Sequence, residues 1–311
     1  MRHKYKLFAV ALISLTGVFV YAAKSVIAQD ALTLSVSPPL FELSANPGDS
    51  LTNSIRLTNL SNESKTIFVD KRNFTALGEE GGVDLTEDDT GYSLASWVDI
   101  DRETATVGAN QSEVFNFTIN VPSNAEPGGH FGSIVFRTET GSLEEGQAGA
   151  AVGQEIGSLL LVRVAGDVEE LIETVSFESE KGFYEKGPVV LANRVENIGN
   201  VHIRPQGSIV ITNMFGREVA NLQLNGLNVL PDSIRRMDTE WDDSSLRLGR
   251  YKASLNMVYG SDNEMLSAST SFFMVPYKHI IAVTLILLVV VFVIRRYKDR
   301  FKAAFRVLSG K

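Results

Sequence analysis

The chain has 311 residues, of which 44% are hydrophobic and 21% charged, a composition typical of a folded protein of about two domains. It contains no cysteine, which excludes disulfides, thiolate zinc sites, iron–sulfur clusters and cysteine nucleophiles. The net charge of -8 argues against a nucleic-acid partner. This net charge is an average over segments whose charges have opposite sign.

Residues 1–28 have the layout of a signal peptide. Basic residues open the segment, residues 7–23 are almost wholly apolar, and Val26 and Ala28 occupy the -3 and -1 positions of a cleavage site after Ala28. The same residues are compatible with an uncleaved N-terminal anchor, which is the alternative interpretation.

Period-two alternation of apolar residues dominates from residue 32 to residue 275 and predicts β-strands. Pro-Gly and Gly-Gly turn signals separate the strands at spacings typical of β-sandwiches. The charged break near residues 165–170 divides the region, so we predict two tandem immunoglobulin-like β-sandwich domains, over residues 29–166 and 167–276. Residues 141–153, rich in Gly, Ala and Glu, are predicted to form a loop within the first domain.

The two predicted domains share a local sequence pattern. The seven residues that begin at Arg56 and contain Asn59 are mirrored by the seven that begin at Arg194 and contain Asn197, at an offset of 138 residues. Each Asn ends a predicted strand, where its side chain can bond nearby backbone groups. This repeat indicates a duplication.

A second long apolar segment, residues 277–294, is predicted to be a C-terminal transmembrane helix. Its 18 residues span about 27 Å at about 1.5 Å each, enough for the hydrocarbon core of a bilayer, and residues 280–294 carry no charge. The ends match a membrane span, with Tyr-Lys-His at residues 277–279 and Arg-Arg-Tyr-Lys at residues 295–298. A buried helix of a soluble domain is the alternative.

The distribution of charge predicts the topology. Residues 295–311 carry a net charge of +6, residues 1–28 a net charge of +4, and residues 29–278 a net charge of -18. By the positive-inside rule, residues 295–311 form a basic cytoplasmic tail and residues 29–278 an ectodomain outside the cell membrane. An outward-facing domain without disulfides fits a bacterial surface. Phe301, Phe305 and Leu308 recur at helical spacing, so the tail either lies on the membrane or acts only as a stop-transfer signal.

The sequence contains almost no recognisable catalytic motif. The four His residues are scattered, and the metalloprotease, Gly-x-Ser-x-Gly and phosphate-loop motifs do not occur. We therefore predict a protein that is not an enzyme and has no cofactor and no metal site. The acidic residues of the 79–89 segment have the hard carboxylates that calcium prefers, but their spacing is not that of an EF-hand, and a solvated acidic loop is the preferred interpretation.

The most distinctive segment contains Gly128, Gly129, His130 and Phe131. Its glycines leave backbone amides accessible, and its two rings are suited to stacking on a sugar, so these residues and Trp97 are the predicted contacts for a ligand or partner. The alternative interpretation is a sandwich corner that requires glycine at positive φ.

Residues 31–166 resemble the N-terminal domain of WxL-interacting proteins, cell-surface proteins of Gram-positive bacteria. The motifs that carry the resemblance are Ser37-Pro38-Pro39, Pro47-Gly48-Asp49-Ser50, Asn59-Leu60-Ser61-Asn62, Ile119-Asn120-Val121-Pro122 and Pro127-Gly128-Gly129-His130. The resemblance implies association with the cell wall, with peptidoglycan binding by the first domain and protein partners for the second.

Two functions follow as hypotheses. The first is a membrane-anchored adhesion protein that binds peptidoglycan, another wall polymer or a secreted surface protein. The second is a surface-assembly chaperone or scaffold that pairs an edge strand with a secreted client. A sensor that signals through its tail is a third and weaker hypothesis, because the tail of about 17 residues contains no domain.

Overall fold

The computed structural model describes residues 33–138, 153–243, 245 and 247–308. The predicted signal peptide and nearly all of the predicted 141–153 loop lie outside those residues. The described chain is mostly β, with four sheets and a single α-helix at its C-terminal end. The strands form two groups that do not pair with each other, defined here as the N-terminal unit (residues 33–164) and the C-terminal unit (residues 167–275).

The N-terminal unit is a sandwich of two sheets. One sheet has the order β1-β3-β8-β6, and the other has the order β2-β10-β9-β4-β5, with β7 pairing with β4. The strands are β1 (Leu34–Ser37), β2 (Leu40–Ala45), β3 (Ser50–Asn59), β4 (Lys65–Leu77), β5 (Gly82–Thr86), β6 (Val98–Ile100), β7 (Thr104–Val107), β8 (Ser112–Asn120), β9 (Gly128–Thr138) and β10 (Glu155–Val164). A 3-10 helix over Ala95–Trp97, which the sequence pattern did not predict, precedes β6.

The C-terminal unit is a second pair of sheets, ordered β11-β13-β16 and β12-β18-β17-β14-β15. Its strands are β11 (Ile172–Ser179), β12 (Phe183–Tyr184), β13 (Val189–Asn197), β14 (Gln206–Asn213), β15 (Glu218–Leu224), β16 (Ser233–Trp241), β17 (Gly249–Tyr259) and β18 (Glu264–Met274). The turn at residues 213–217 joins β14 and β15 as an antiparallel hairpin.

Alternation explains the two cores. In β3 the side chains of Ile55 and Leu57 are buried while Arg56 between them is exposed, and β8 alternates in the same way. The apolar faces of the two sheets of each unit meet in one continuous cluster, so each sandwich is stabilised by the burial of these residues.

The repeated Asn positions have the same structural role in both units. Asn59 and Asn197 are fully buried at the ends of β3 and β13. The Asn59 side-chain amide donates to the backbone oxygen of Glu63 at 2.7 Å, and that of Asn197 donates to the oxygen of Val201 at 2.7 Å. Each side-chain oxygen accepts the N–H two residues later, at 3.0 Å. The prediction that these Asn side chains bond the backbone is confirmed.

A single α-helix, α1 (Tyr277–Leu308), follows β18. Within it, Tyr277–Tyr297 is 21 residues long, with a mean hydropathy of 2.5 and none of it buried, which is long and apolar enough to cross a membrane. This candidate span ends three residues beyond the predicted end at residue 294, and those residues are Arg295, Arg296 and Tyr297. Tyr297 departs from helical geometry, with φ -115° and ψ 15°, so the helix kinks where the basic tail begins.

Candidate functional site

The Gly-rich segment at the start of β9 lies at the junction of the two units. Gly128 has φ 122°, and a Cβ there would approach the backbone oxygen of Asn200, in the C-terminal unit, to 2.6 Å. The N–H of Gly129 donates to the same oxygen at 2.8 Å. Glycine is required here both by its backbone conformation and by the contact with the other unit.

Phe131 is the centre of a small apolar cluster at the same junction. The ring is 2% exposed and packs against Phe74 and Tyr92, each at 5.9 Å between ring centroids. From the C-terminal unit, the ring of His202 meets it edge to face at 5.8 Å, and Leu230 joins the cluster. Phe131 is therefore a contact between the two units and is closed to an external ligand.

The predicted acidic loop is a hairpin that docks on the C-terminal unit. The β4–β5 hairpin carries Glu79, whose carboxylate accepts from both Nε (2.6 Å) and Nη2 of Arg194, and whose backbone oxygen accepts the Arg236 N–H at 2.9 Å. The pairing with Arg194 lowers the pKa of Glu79. A Cβ on Gly81 would overlap the Arg235 guanidinium, so the arginine packs directly on the hairpin backbone. In the described residues, no group of three His, Cys, Asp or Glu residues is arranged to hold a metal ion.

Further polar contacts extend the junction. The Tyr92 hydroxyl donates to Asp232 at 3.0 Å, and burial and this carboxylate raise the pKa of Tyr92 to about 12. Glu42 pairs with Arg204 at 3.4 Å. Salt bridges and hydrogen bonds that join the two units thus surround the apolar cluster.

His202 makes the junction sensitive to pH. Burial lowers the pKa of His202, and its Nδ1 has no hydrogen-bond partner, so the folded protein holds the ring neutral. Because the unfolded chain binds a proton near pH 6.5, the free energy of unfolding should decrease as the pH falls below about 6.5. Between about pH 7.5 and pH 5, we expect the wild-type protein to lose up to about 2 kcal/mol more than His202→Gln, which is the limit for a ring that stays neutral over this range. Urea unfolding at both pH values measures the difference, and equal losses would contradict the assignment.

Two of the predicted residues, Trp97 and His130, lie together in a surface groove. The groove has a volume of about 390 Å³. The partly exposed indole of Trp97 packs on the imidazole of His130, with 4.3 Å between ring centroids. His130 is buried beneath it, with Nε2 2.9 Å from the Glu126 oxygen and Nδ1 3.3 Å from the Ser93 oxygen. A backbone carbonyl oxygen can only accept, so a ring nitrogen that carries hydrogen donates in these contacts.

Hydrogen-bonding groups surround the Trp97 ring. The exposed side chains that line the groove with it are those of Asp89, Ser96, Asn124 and Glu126. An aromatic face beside carboxylate, amide and hydroxyl groups is the arrangement that binds a sugar ring, with the aromatic face contacting C–H groups and the polar groups contacting hydroxyls. We refer to this feature as the Trp97 groove.

The structure thus separates the five predicted residues. Trp97 and His130 form the groove, whereas Gly128, Gly129 and Phe131 contact the C-terminal unit. Residues on the other side of the junction, such as Asn200, His202 and Arg194, carry no motif that predicts a site. Arg194 and Asn200 lie in the repeated segment, but nothing in that repeat indicated a contact between units.

No family model matches the chain, and no curated protein matches it. Among solved structures, it is similar to a chain of a chaperone–tip adhesin complex of CFA/I fimbriae biogenesis, at 11% identity and a TM-score of 0.40, covering 78% of this chain and 99% of that one. The YadV chaperone is similar at 10% identity and a TM-score of 0.39, covering 78% and 100%. The E. coli chaperone DraB is similar at 12% identity and a TM-score of 0.35, covering 78% and 95%. At such low identities and TM-scores, these similarities support no statement about what this chain binds.

Proposed function

We propose that the protein is a non-catalytic bacterial surface protein, anchored in the cell membrane by α1, that binds a cell-wall glycan such as peptidoglycan through the Trp97 groove. In this proposal the two units are tandem immunoglobulin-like domains, over residues 29–166 and 167–276. The observation that carries it is the partly exposed Trp97 ring among hydrogen-bonding side chains. The resemblance of residues 31–166 to WxL-interacting proteins supports the same ligand class.

The chemistry of the groove limits the ligand. Asp89 and Glu126 are exposed carboxylates beside Trp97, in an ectodomain whose net charge is -18. Repulsion disfavours an anionic polymer, so the ligand is a neutral or amino-bearing sugar chain. The contacts of His130 support a binding role over catalysis, because both ring nitrogens face backbone oxygens instead of a nucleophile.

The proposed orientation places the C-terminal unit next to the membrane and the N-terminal unit beyond it. The span Tyr277–Tyr297 follows β18 of the C-terminal unit, and the basic residues after it favour the cytoplasmic side. The Trp97 groove belongs to the N-terminal unit, so it faces the cell wall.

The proposal predicts that Trp97 controls retention on cell walls. We expect Trp97→Ala to lower the affinity of the detergent-solubilised chain for purified walls by about 5- to 30-fold, because stacking of one ring contributes on the order of 1–2 kcal/mol. The chain has two Trp residues, and Trp241 is buried, so soluble wall fragments should change the fluorescence of Trp97 selectively. Phe215→Ala, which removes an exposed ring of the C-terminal unit, is the matched control. Equal retention of Trp97→Ala and wild-type protein would refute the site.

A second candidate function, a chaperone or scaffold for a secreted protein, is favoured by one specific observation. β15 is an edge strand of seven residues with a single charged side chain, Glu218, and it pairs only with β14 in the described sheets. Such an edge has free backbone groups and few charges to prevent the addition of another strand. A secreted protein that co-purifies with Trp97→Ala, but not with Asn221→Lys in β15, would establish this alternative in place of glycan binding.

A further inference from the structure

One end of the C-terminal unit gathers several loops around the start of α1. The register of the sheet pairs Gly249 with Met274 and Asn213 with Tyr251, so the 213–217 turn and the start of β17 lie at the end of the sheet where β18 leads into the helix. β12 is at the same end, because Tyr184 pairs with Met274. The N-terminal unit contacts the opposite end, through Asn200 and its neighbours.

This end exposes large apolar side chains. Phe215 is 86% exposed, Phe183 is 70% exposed and Leu248 is 65% exposed. Phe183 also stacks on Phe273, with 5.3 Å between ring centroids and 17° between ring planes. Phe273 lies four residues before the start of α1, so this stacked pair of rings lies close to the start of the helix.

The connection to the helix is too short to hold this end away from a membrane. Only Val275 and Pro276 separate β18 from α1, and two residues reach at most about 7 Å. The connection is also held in place: the Val275 N–H donates to the Tyr184 oxygen at 2.7 Å, and Lys278 pairs with Glu185 at 2.6 Å.

We infer that the Phe183, Phe215 and Leu248 side chains dock in the outer interface of the bilayer that α1 spans. The inference rests on the proposed membrane anchor, and the occupant of this apolar end is the lipid surface. Lys181, Lys186 and Arg217 are exposed beside these side chains and suit lipid phosphates, as in other interfacial segments that combine aromatic and basic residues. The docked end fixes the direction in which the two units project from the membrane.

The test uses the absence of native cysteine. Single cysteines are introduced as Phe215→Cys and, as a matched control, Met265→Cys, because Met265 is 83% exposed but lies near the opposite end of β18. A third variant, Leu287→Cys, reports the membrane span itself. Each full chain carries one fluorophore and is reconstituted at one copy per nanodisc of phosphatidylethanolamine and phosphatidylglycerol, with nitroxide-labelled lipid as quencher.

We expect lipid quenching at position 215 to exceed that at position 265 at least about threefold, with quenching at position 287 strongest from acyl-chain nitroxides. Quenching at 287 with equal values at 215 and 265 would overturn the docking and leave the anchor intact. Absence of quenching at 287 would refute the anchor and the docking together. If the fluorophore at position 215 is protected from solvent in liposomes that hold many copies, but not in discs that hold one copy, this end contacts a second protein copy. That result would also overturn the inference.

Discussion

Replacing Asn197 by alanine is expected to lower the free energy of unfolding of the C-terminal unit by about 2–4 kcal/mol. The side-chain amide donates to the backbone oxygens of Val201 and Val229 at 2.7 and 2.8 Å, and its oxygen accepts the Gly199 N–H at 3.0 Å. The residue is 0% exposed, so water cannot replace these bonds after the substitution. Chemical denaturation of the detergent-solubilised chain, followed by the fluorescence of Trp241 in the same unit, measures the change.

Asn193, on the same strand, provides the matched control. It is also fully buried, but its amide contacts only the Met257 sulfur at 3.4 Å, and its side-chain oxygen has no partner. Asn193→Leu keeps the branching at Cγ and the number of side-chain heavy atoms and removes an unsatisfied polar group, so we expect it to leave stability unchanged within about 1 kcal/mol or to raise it. If Asn193→Leu destabilises the unit as much as Asn197→Ala, hydrogen bonding is not the reason that Asn197 matters.

Phe131→Ala is expected to lower the stability of the N-terminal unit by about 3–5 kcal/mol and to uncouple the two units. The substitution leaves a cavity among Phe74, Tyr92 and His202, and it removes the ring that the C-terminal unit contacts. By scanning calorimetry we expect a single transition for the wild-type protein, in which the two units unfold together, and two separated transitions for Phe131→Ala.

Phe183→Ala is the control for that substitution, because it removes a ring that is 70% exposed. We expect a change of less than about 1 kcal/mol and no change in the number of transitions. A Phe131→Ala protein with an unaltered calorimetric profile would show that the cluster contributes nothing to the coupling of the units.

Local patterns predicted a β-rich region because alternation is a property of neighbouring residues. In β3, for example, Ile55 and Leu57 are buried and alternate with polar residues. The role of the repeated Asn residues could also be predicted from the sequence, because each Asn side chain bonds backbone groups within four residues of itself. The parallel pairing of β2 with β10 could not be predicted from the sequence, because it joins segments about 120 residues apart.

The candidate site was only partly predictable for the same reason. Trp97 and His130 were both chosen from the sequence, but their stacking depends on how the 3-10 helix packs on β9. The sequence predicted that Glu79 lies in a solvated loop. In the structure its carboxylate pairs with Arg194, which is 115 residues away in the chain. Charge and composition cannot indicate which of many arginines will meet a given carboxylate.

The sequence by itself determined a β-rich chain with one apolar C-terminal helix, because hydropathy and alternation act over a few residues and need no knowledge of distant contacts. Only the tertiary structure decided that Gly128, Gly129 and Phe131 form the junction with the C-terminal unit while Trp97 stays accessible in its groove. It also decided that exposed Phe215 lies at the same end as α1. These outcomes depend on the stacking of sheets and units, which brings together residues from segments far apart in the chain.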